Sequence, residues 1–362
     1  MADIPVVEAE PGGAAEAGTA KTRPRGRRLR PVAAVVAVLA ALGLALFALT
    51  RPAVEPVVEV PAEPAPPGLI PAPQDGGAGF VLEVAGAQGG SLVVPYDTFA
   101  VTALPGDTLA LRVRYTASAQ VVASGGALQD AGPLQWTWTP PPTPGVTRID
   151  LEAADSRQMR LHAVTLVPFD HADDAIGDYA IGDYQDEPLG GDPVYDEPAG
   201  FVRVPPDLED VPVSPHFRLG QFLAKQEADG PKYLLLEPAL LFKLERLLAA
   251  VRTAGVPADG LTVMSGYRTP AYNAAVGNTT VYSRHLYGDA ADVFVDTDGD
   301  GMMDDLDGDG SVTETDAEWL AALVEGVVAE HSHLEGGLGI YGPAPHRGPF
   351  VHVDTRGTAV RW

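Results

Sequence analysis

The chain has no cysteine, so no disulfide braces it. Exported bacterial proteins and cytosolic ones both manage without that residue, and its absence leaves the compartment open. Positive charge is also scarce: 24 Lys and Arg face 49 Asp and Glu, a formal net charge of −25. No basic face is left over for phosphates, which argues against a nucleic-acid partner. Abundance lies elsewhere. The 34 prolines and 40 glycines signal long linkers and turn-rich structure, and 362 residues suffice for two domains.

Residues 1–31 read as a disordered cytoplasmic tail that ends in a basic block, Lys21, Arg23, Arg25, Arg27, Arg28 and Arg30. From Val32 to Thr50 there is no charge, and Ala, Val and Leu dominate. That length suits a transmembrane helix, and the preceding cations predict an N-terminus inside the cell. A cleaved signal peptide is the competing reading; the run exceeds the usual apolar region and no small-x-small site follows Ala48. The expectation is a single-pass protein of a bacterial cytoplasmic (inner) membrane, its C-terminal domains outside the cytoplasm, in periplasm or wall. Residues 51–78 form a Pro-rich, extended linker.

Residues 79–169 change texture to short alternating runs between Gly, Pro and Asp turns, among them Phe80–Val84, Thr108–Tyr115 and Arg160–Val167. Leu109, Leu111, Val113 and Tyr115 fall on one face, Arg112 and Arg114 on the other. The spacing predicts a small all-β sandwich, a spacer or accessory binding domain. Trp136 and Trp138 share a face, as groove lining or as core. Residues 170–200 are acidic, and Ile176-Gly-Asp-Tyr179 recurs as Ile181-Gly-Asp-Tyr184. A solvated linker is the expectation, with docking of the tyrosines as the alternative.

Residues 201–362 read as an α+β domain. Pro238 to Ala254 has a leucine stripe, proline in its first turn and Gly255 at the C-terminal cap position, so it predicts a helix. Strands are expected at Leu261–Ser265 and Ala290–Val295, with Thr269-Pro270 opening a short helix. Ser283-Arg-His285-Leu-Tyr-Gly-Asp-Ala-Ala-Asp292 places a histidine seven residues before a carboxylate. Phe350-Val-His352-Val-Asp354 puts a second histidine on an alternating strand. Two imidazoles and a carboxylate with room for water are what a catalytic zinc requires, and imidazole favours zinc over calcium.

Four motifs occur in order: Ser265-Gly-Tyr-Arg268-Thr, then Ser283-x-His285-x-x-Gly288-x-Ala290-x-Asp292, then Gly336-Gly337-x-Gly339-x-Tyr341, then Phe350-Val-His352-Val-Asp354-Thr with a terminal Arg361-Trp362. The series resembles the zinc D-alanyl-D-alanine carboxypeptidases and murein endopeptidases, of the hedgehog/DD-peptidase type. The resemblance covers about residues 201–362. It implies a zinc peptidase of peptidoglycan stem peptides, with His285, Asp292 and His352 on the metal and Arg268 holding a substrate carboxylate or the oxyanion. Several members carry a glutamate three residues before the last histidine; here that residue is Pro349. Asp354 is then the first choice of general base and His346 the second, with Asp354 equally able to orient a ligand. A binding protein that holds zinc and calcium at the cell wall without turnover is the alternative function.

Residues 296–316 insert eight aspartates and one glutamate without a cation. Asp305, Asp307, Asp309, Gly310, Thr313 and Asp316 fit a twelve-residue calcium loop, and Asp296, Asp298, Asp300, Gly301, Asp304 and Asp307 fit an overlapping one. Structural calcium is the expectation. Thr315 and Glu318 are expected to cap the helix that follows, and His331 and His333 at its end read as surface residues.

Overall fold

The computed structural model describes residues 76–86, 90–170 and 173–362. The expected transmembrane helix at 32–50, the basic tail and nearly all of the Pro-rich linker lie outside the described residues. Among the described residues, no helix is long and apolar enough to cross a membrane.

A β-sandwich comes first. One sheet has the order β2 (Gly90–Tyr96), β1 (Gly77–Gly86), β4 (Leu109–Arg114), β7 (Gln135–Thr139), β6 (Ala127–Gly132). The other runs β3 (Thr98–Ala103), β9 (Gln158–Thr165), β8 (Gly145–Ala153), β5 (Ala119–Ala123). In β4 the leucines and valine are buried while the residues between them face outward, as the alternation requires. Trp138 is fully buried and donates its indole N–H to the carbonyl of Gly125 at 2.9 Å. Trp136 packs against the same core, so the tryptophan pair serves packing and lines no groove. β6 has no alternating burial, which is why its sequence carries no strand signal.

The sandwich is not held at a distance. β10 (Val167–Pro168) follows β9 directly and pairs with β13 (Gly200–Val204), which pairs in turn with β14 (Lys232–Leu234). Pro212 and Val213 lie against the second sheet, at its edge strand β3. Ala100 N–H donates to Val213 O at 2.9 Å, and the buried His162 donates from Nδ1 to Pro212 O at 2.7 Å. The rings of Tyr96 and Phe99 pack on Phe242 with centroids 5.7 and 4.7 Å apart. The spacer reading therefore gives way to a docked domain.

Residues 173–199, expected as a solvated tether, are also docked. Ile176 and Tyr179 belong to a small hairpin of β11 (Ala175–Ile176) and β12 (Tyr179–Ala180). Tyr179, Ile181, Tyr184 and Tyr195 are buried. Net acidity suggested a solvated segment, but four apolar-bodied side chains on one side of it are enough to bind it down.

The C-terminal sheet has the order β15 (Thr262–Ser265), β16 (Ala290–Phe294), β18 (Phe350–Asp354), β17 (Gly337–Tyr341), β19 (Val360–Arg361). Its pairings are antiparallel except β17 with β19. Helix α1 (Pro238–Thr253) buries its leucine stripe, and Gly255 turns the chain beyond its end with φ +99°. Helix α2 (Pro270–Ala275) is capped by the Thr269 hydroxyl, as expected. Helix α3 (Glu314–Glu330) packs on β17, β18 and α1. Its capping box is formed by Thr313 and Asp316, two residues ahead of the expected pair, because the Asp316 carboxylate accepts from the Thr313 N–H at 2.7 Å.

A candidate metal centre

β16 and β18 pair so that Asp292 stands directly opposite His352, and Ser265 and Gly339 continue the row on the outer strands. Residues directly opposite in antiparallel strands share a face, so register alone brings the carboxylate and one imidazole together. The second histidine arrives from a single 3-10 turn, Arg284–Tyr287, that ends on Gly288 at φ +75°. A Cβ on Gly288 would lie 2.5 Å from the backbone of Leu235, so only glycine closes this turn. Arg284 and Asp289 bracket the turn with a buried pair at 2.7 Å, and the Arg284 guanidinium lies over the rings of Tyr195 and Tyr287. The Tyr184 hydroxyl donates to Leu286 O at 2.8 Å and lies 3.0 Å from the Tyr267 hydroxyl. The docked segment thus braces the loop that carries His285.

Asp292 Oδ1 lies 3.3 Å from His285 Nε2 and 3.0 Å from His352 Nδ1, and the two nitrogens are 3.1 Å apart. A tetrahedral zinc with bonds near 2.1 Å separates its ligand atoms by about 3.3 Å. The triangle has the size zinc requires.

The protons agree. His285 Nδ1 donates to the carbonyl of Gly266 at 2.7 Å, which leaves Nε2 with a bare lone pair. His352 Nε2 faces Asp354 Oδ2 at 3.2 Å, which directs the Nδ1 lone pair inward. Two lone pairs and a carboxylate oxygen meet at one point, with all three side chains buried. Such a group needs a cation. Without a metal, burial pushes the His352 imidazole down, but hydrogen bonds to Asp292 and Asp354 outweigh it and raise the pKa to about 10. Burial also opposes the charge on Asp292, yet His285, His352 and Arg268 hold that carboxyl well below the usual range.

Arg268, a candidate for the substrate's carboxylate or oxyanion, is buried. Its Nη2 donates to Asp292 Oδ2 and its Nε to Ser265 Oγ, each at 2.9 Å. At least part of the guanidinium therefore orients a ligand. Asp354 lies behind the His352 ring, on the Nε2 side and away from the converging lone pairs. Its oxygens accept from the N–H groups of Gly337 and Arg356 and from the Arg356 guanidinium. Burial opposes its charge, but His352 and Arg356 keep it well below the ordinary carboxylate range. His346 is exposed in the turn closed by Ala344 and Arg347, after β17.

Three neighbours were given no part in the site by the sequence reading. The Trp362 ring lies 5.1 Å from that of His352 and donates its indole N–H to the Tyr341 hydroxyl at 2.7 Å. Gly339 makes room for it, since a Cβ there would meet the indole at 2.5 Å. Arg356 and the buried Lys243 converge on Asp354. The glycine opposite His352 was the available signal for an incoming ring; nothing marks Lys243 within a leucine-rich helix.

The acidic insertion forms two successive loops with one geometry. Asp296 accepts from Gly299, Asp300 and Gly301 N–H, and nine residues on Asp305 accepts from Gly308, Asp309 and Gly310 N–H. Gly301 and Gly310 both have positive φ. The oxygens gather as Asp296, Asp298 and Asp300 in one group, and as Asp305, Asp307 and the buried Asp316 in the other. The overlapping register is thereby resolved: Asp307 belongs to the second loop, and Asp304 instead accepts from Thr297 N–H and hydroxyl. Asp309 accepts from Ser311 N–H, and Thr313 caps α3. His331 and His333 lie at the end of α3, outside the buried histidine–aspartate group.

No curated protein and no solved structure matches this chain. A family model described as Peptidase M15 matches residues 221–303, a span that holds Arg268, His285 and Asp292, while His352 arrives from beyond it. Together with the buried histidine–aspartate–histidine group, this match supports a metallopeptidase domain of the M15 zinc family, of the D-Ala-D-Ala carboxypeptidase type, and singles out no particular member.

Proposed function

We propose that the chain is a membrane-anchored zinc peptidase that hydrolyses a peptide bond in peptidoglycan stem peptides or their crosslinks. The convergence of His285 Nε2, Asp292 Oδ1 and His352 Nδ1, each set by a partner at its back, carries this reading. Zinc held there supplies Lewis acidity toward a peptide carbonyl and acidifies water. Asp354 orients His352 and Arg268 orients Asp292, with Arg268 also the candidate to hold a substrate carboxylate or the oxyanion. His346, exposed in its turn, is the remaining candidate for general base. The helix at 32–50 anchors the chain, and the described domains stand outside the cytoplasm, facing the wall. Calcium in the two loops after β16 fixes the far end of the Asp292 strand.

Purified peptidoglycan incubated with the full-length chain should release muropeptides identifiable by mass. Release should stop with a zinc chelator and in His285→Ala, while His346→Ala should lose turnover and keep zinc. The competing reading, a wall-recognition protein without turnover, draws on Pro349 in place of a glutamate and on the position of Asp354 behind its histidine. Zinc binding with no released product would favour it.

A further inference from the structure

Helix α1 buries Leu240, Leu241, Leu244, Leu247 and Leu248, and beside that leucine stripe it also buries Lys243, at 1% exposure. A buried ammonium is unfavourable unless it is hydrogen-bonded and paired. The ammonium donates to the backbone carbonyl of Asp354 at 2.7 Å. Across the same residue, Arg356 holds the carboxylate through Nε, 3.0 Å from each oxygen, through Nη2 and through its own backbone N–H at 3.1 Å. Gly337 N–H completes the cradle at 2.7 Å. Asp354 therefore has its main chain pinned from the helix layer and its side chain pinned by Arg356, two residues beyond the end of its strand. Oδ2, held on one side by Arg356, meets His352 Nε2 on the other.

We propose that Lys243 and Arg356 form a two-sided cationic clamp on Asp354 that positions His352 for the metal, with Lys243 a positioning residue supplied by a helix outside the metal-bearing strands. The inference rests on the zinc reading of His285, Asp292 and His352 but not on peptidase activity. A carboxylate behind a ligating histidine fixes the ring and raises its donor strength, and loss of such a partner costs about 10- to 100-fold in metal affinity. Lys243 and Arg356 act at one remove, through the placement of that carboxylate.

The test uses the full-length chain with zinc alone as probe, measured by competition with a chromophoric chelator, and the Co2+ absorption spectrum as a second readout. Lys243→Met loses the bond to Asp354 O along with the buried ammonium and should remain folded without metal, yet bind zinc about 10-fold or more weakly and shift the Co2+ bands. Arg356→Gln should show the same affinity loss. Since both act through Asp354, the double variant should lose much less than the product of the two single losses. Zinc affinity within twofold of the parent in either folded variant, or losses that multiply, overturns the clamp. Should Lys243→Met not fold, Arg356→Gln decides alone, because that residue lies at the domain's edge with its side chain 14% exposed. Failure to release muropeptides would sink the enzyme reading and leave this measurement standing.

Discussion

His285 and His352 each spend one ring nitrogen on an acceptor behind them, and that choice aims the other nitrogen at Asp292. The two acceptors differ: a neutral carbonyl for His285, an ionised carboxylate for His352. The second is the stronger partner and the one a mutation can remove without touching the backbone. Asp354→Asn keeps the shape and removes the charge. It should weaken zinc about 10- to 100-fold by chelator competition while leaving a folded protein. A general base at this position would instead show parent-like zinc affinity with lost turnover. The same logic explains why sequence reasoning left the residue between two roles. Strand alternation places Asp354 on the face of His352, but only the rotamer of the imidazole shows which nitrogen it meets.

Among the elements, the segment between the two domains and the acidic insertion depart furthest from their composition. Residues 173–199 are acidic, yet Tyr184 is buried and gives its hydroxyl to Leu286 O, next to the ligand His285. Tyr184→Phe leaves that buried carbonyl short of a partner and should destabilise by about 1–3 kcal/mol in denaturant melts. A solvated tether would show a change within about 0.5 kcal/mol. The insertion gathers carboxylates that repel one another. Calcium at about 100 times its dissociation constant should stabilise the chain by about 2.7 kcal/mol, seen as a higher melting temperature. Asp305→Asn should abolish much of that rise without changing zinc affinity. A melting temperature indifferent to calcium would remove the ion from this account. The aspartate spacing was legible beforehand, whereas the division of Asp307 and Asp304 between loops was not, because two registers share the same residues.

At the scale of the whole molecule, the described contacts that join the sandwich and the C-terminal domain include the β10–β13 pairing, the Phe242 ring stack, the Ala100–Val213 bond, and His162 donating to Pro212. Burial pushes the His162 imidazole below its ordinary value, with the bond to Pro212 acting weakly the other way. The folded state therefore binds fewer protons than the unfolded state below about pH 6.5. Stability contributed by neutral His162 should be present above that pH and be lost as the pH falls through it. His162→Gln, measured by melting from pH 7.5 to 5, should flatten this part of the profile; an unchanged slope would assign the loss to other groups. A docked sandwich also means that any wall ligand it holds is presented at a set position relative to the metal.

By itself the sequence determined the local elements and the residue types at the centre. Alternation specified β4 and β18, proline and glycine bounded α1, and the order of four motifs picked out the three residues that converge. These are properties of neighbouring residues and survive without knowledge of the fold. Tertiary structure alone decided that the tyrosine repeat binds to the His285 turn, that Trp362 fills the space over Gly339, and that a lysine in a leucine stripe reaches Asp354. Each of these joins residues far apart in the chain through a side-chain direction or a rotamer. Composition carries no record of such choices, because they are settled by which groups can satisfy one another once water has been excluded.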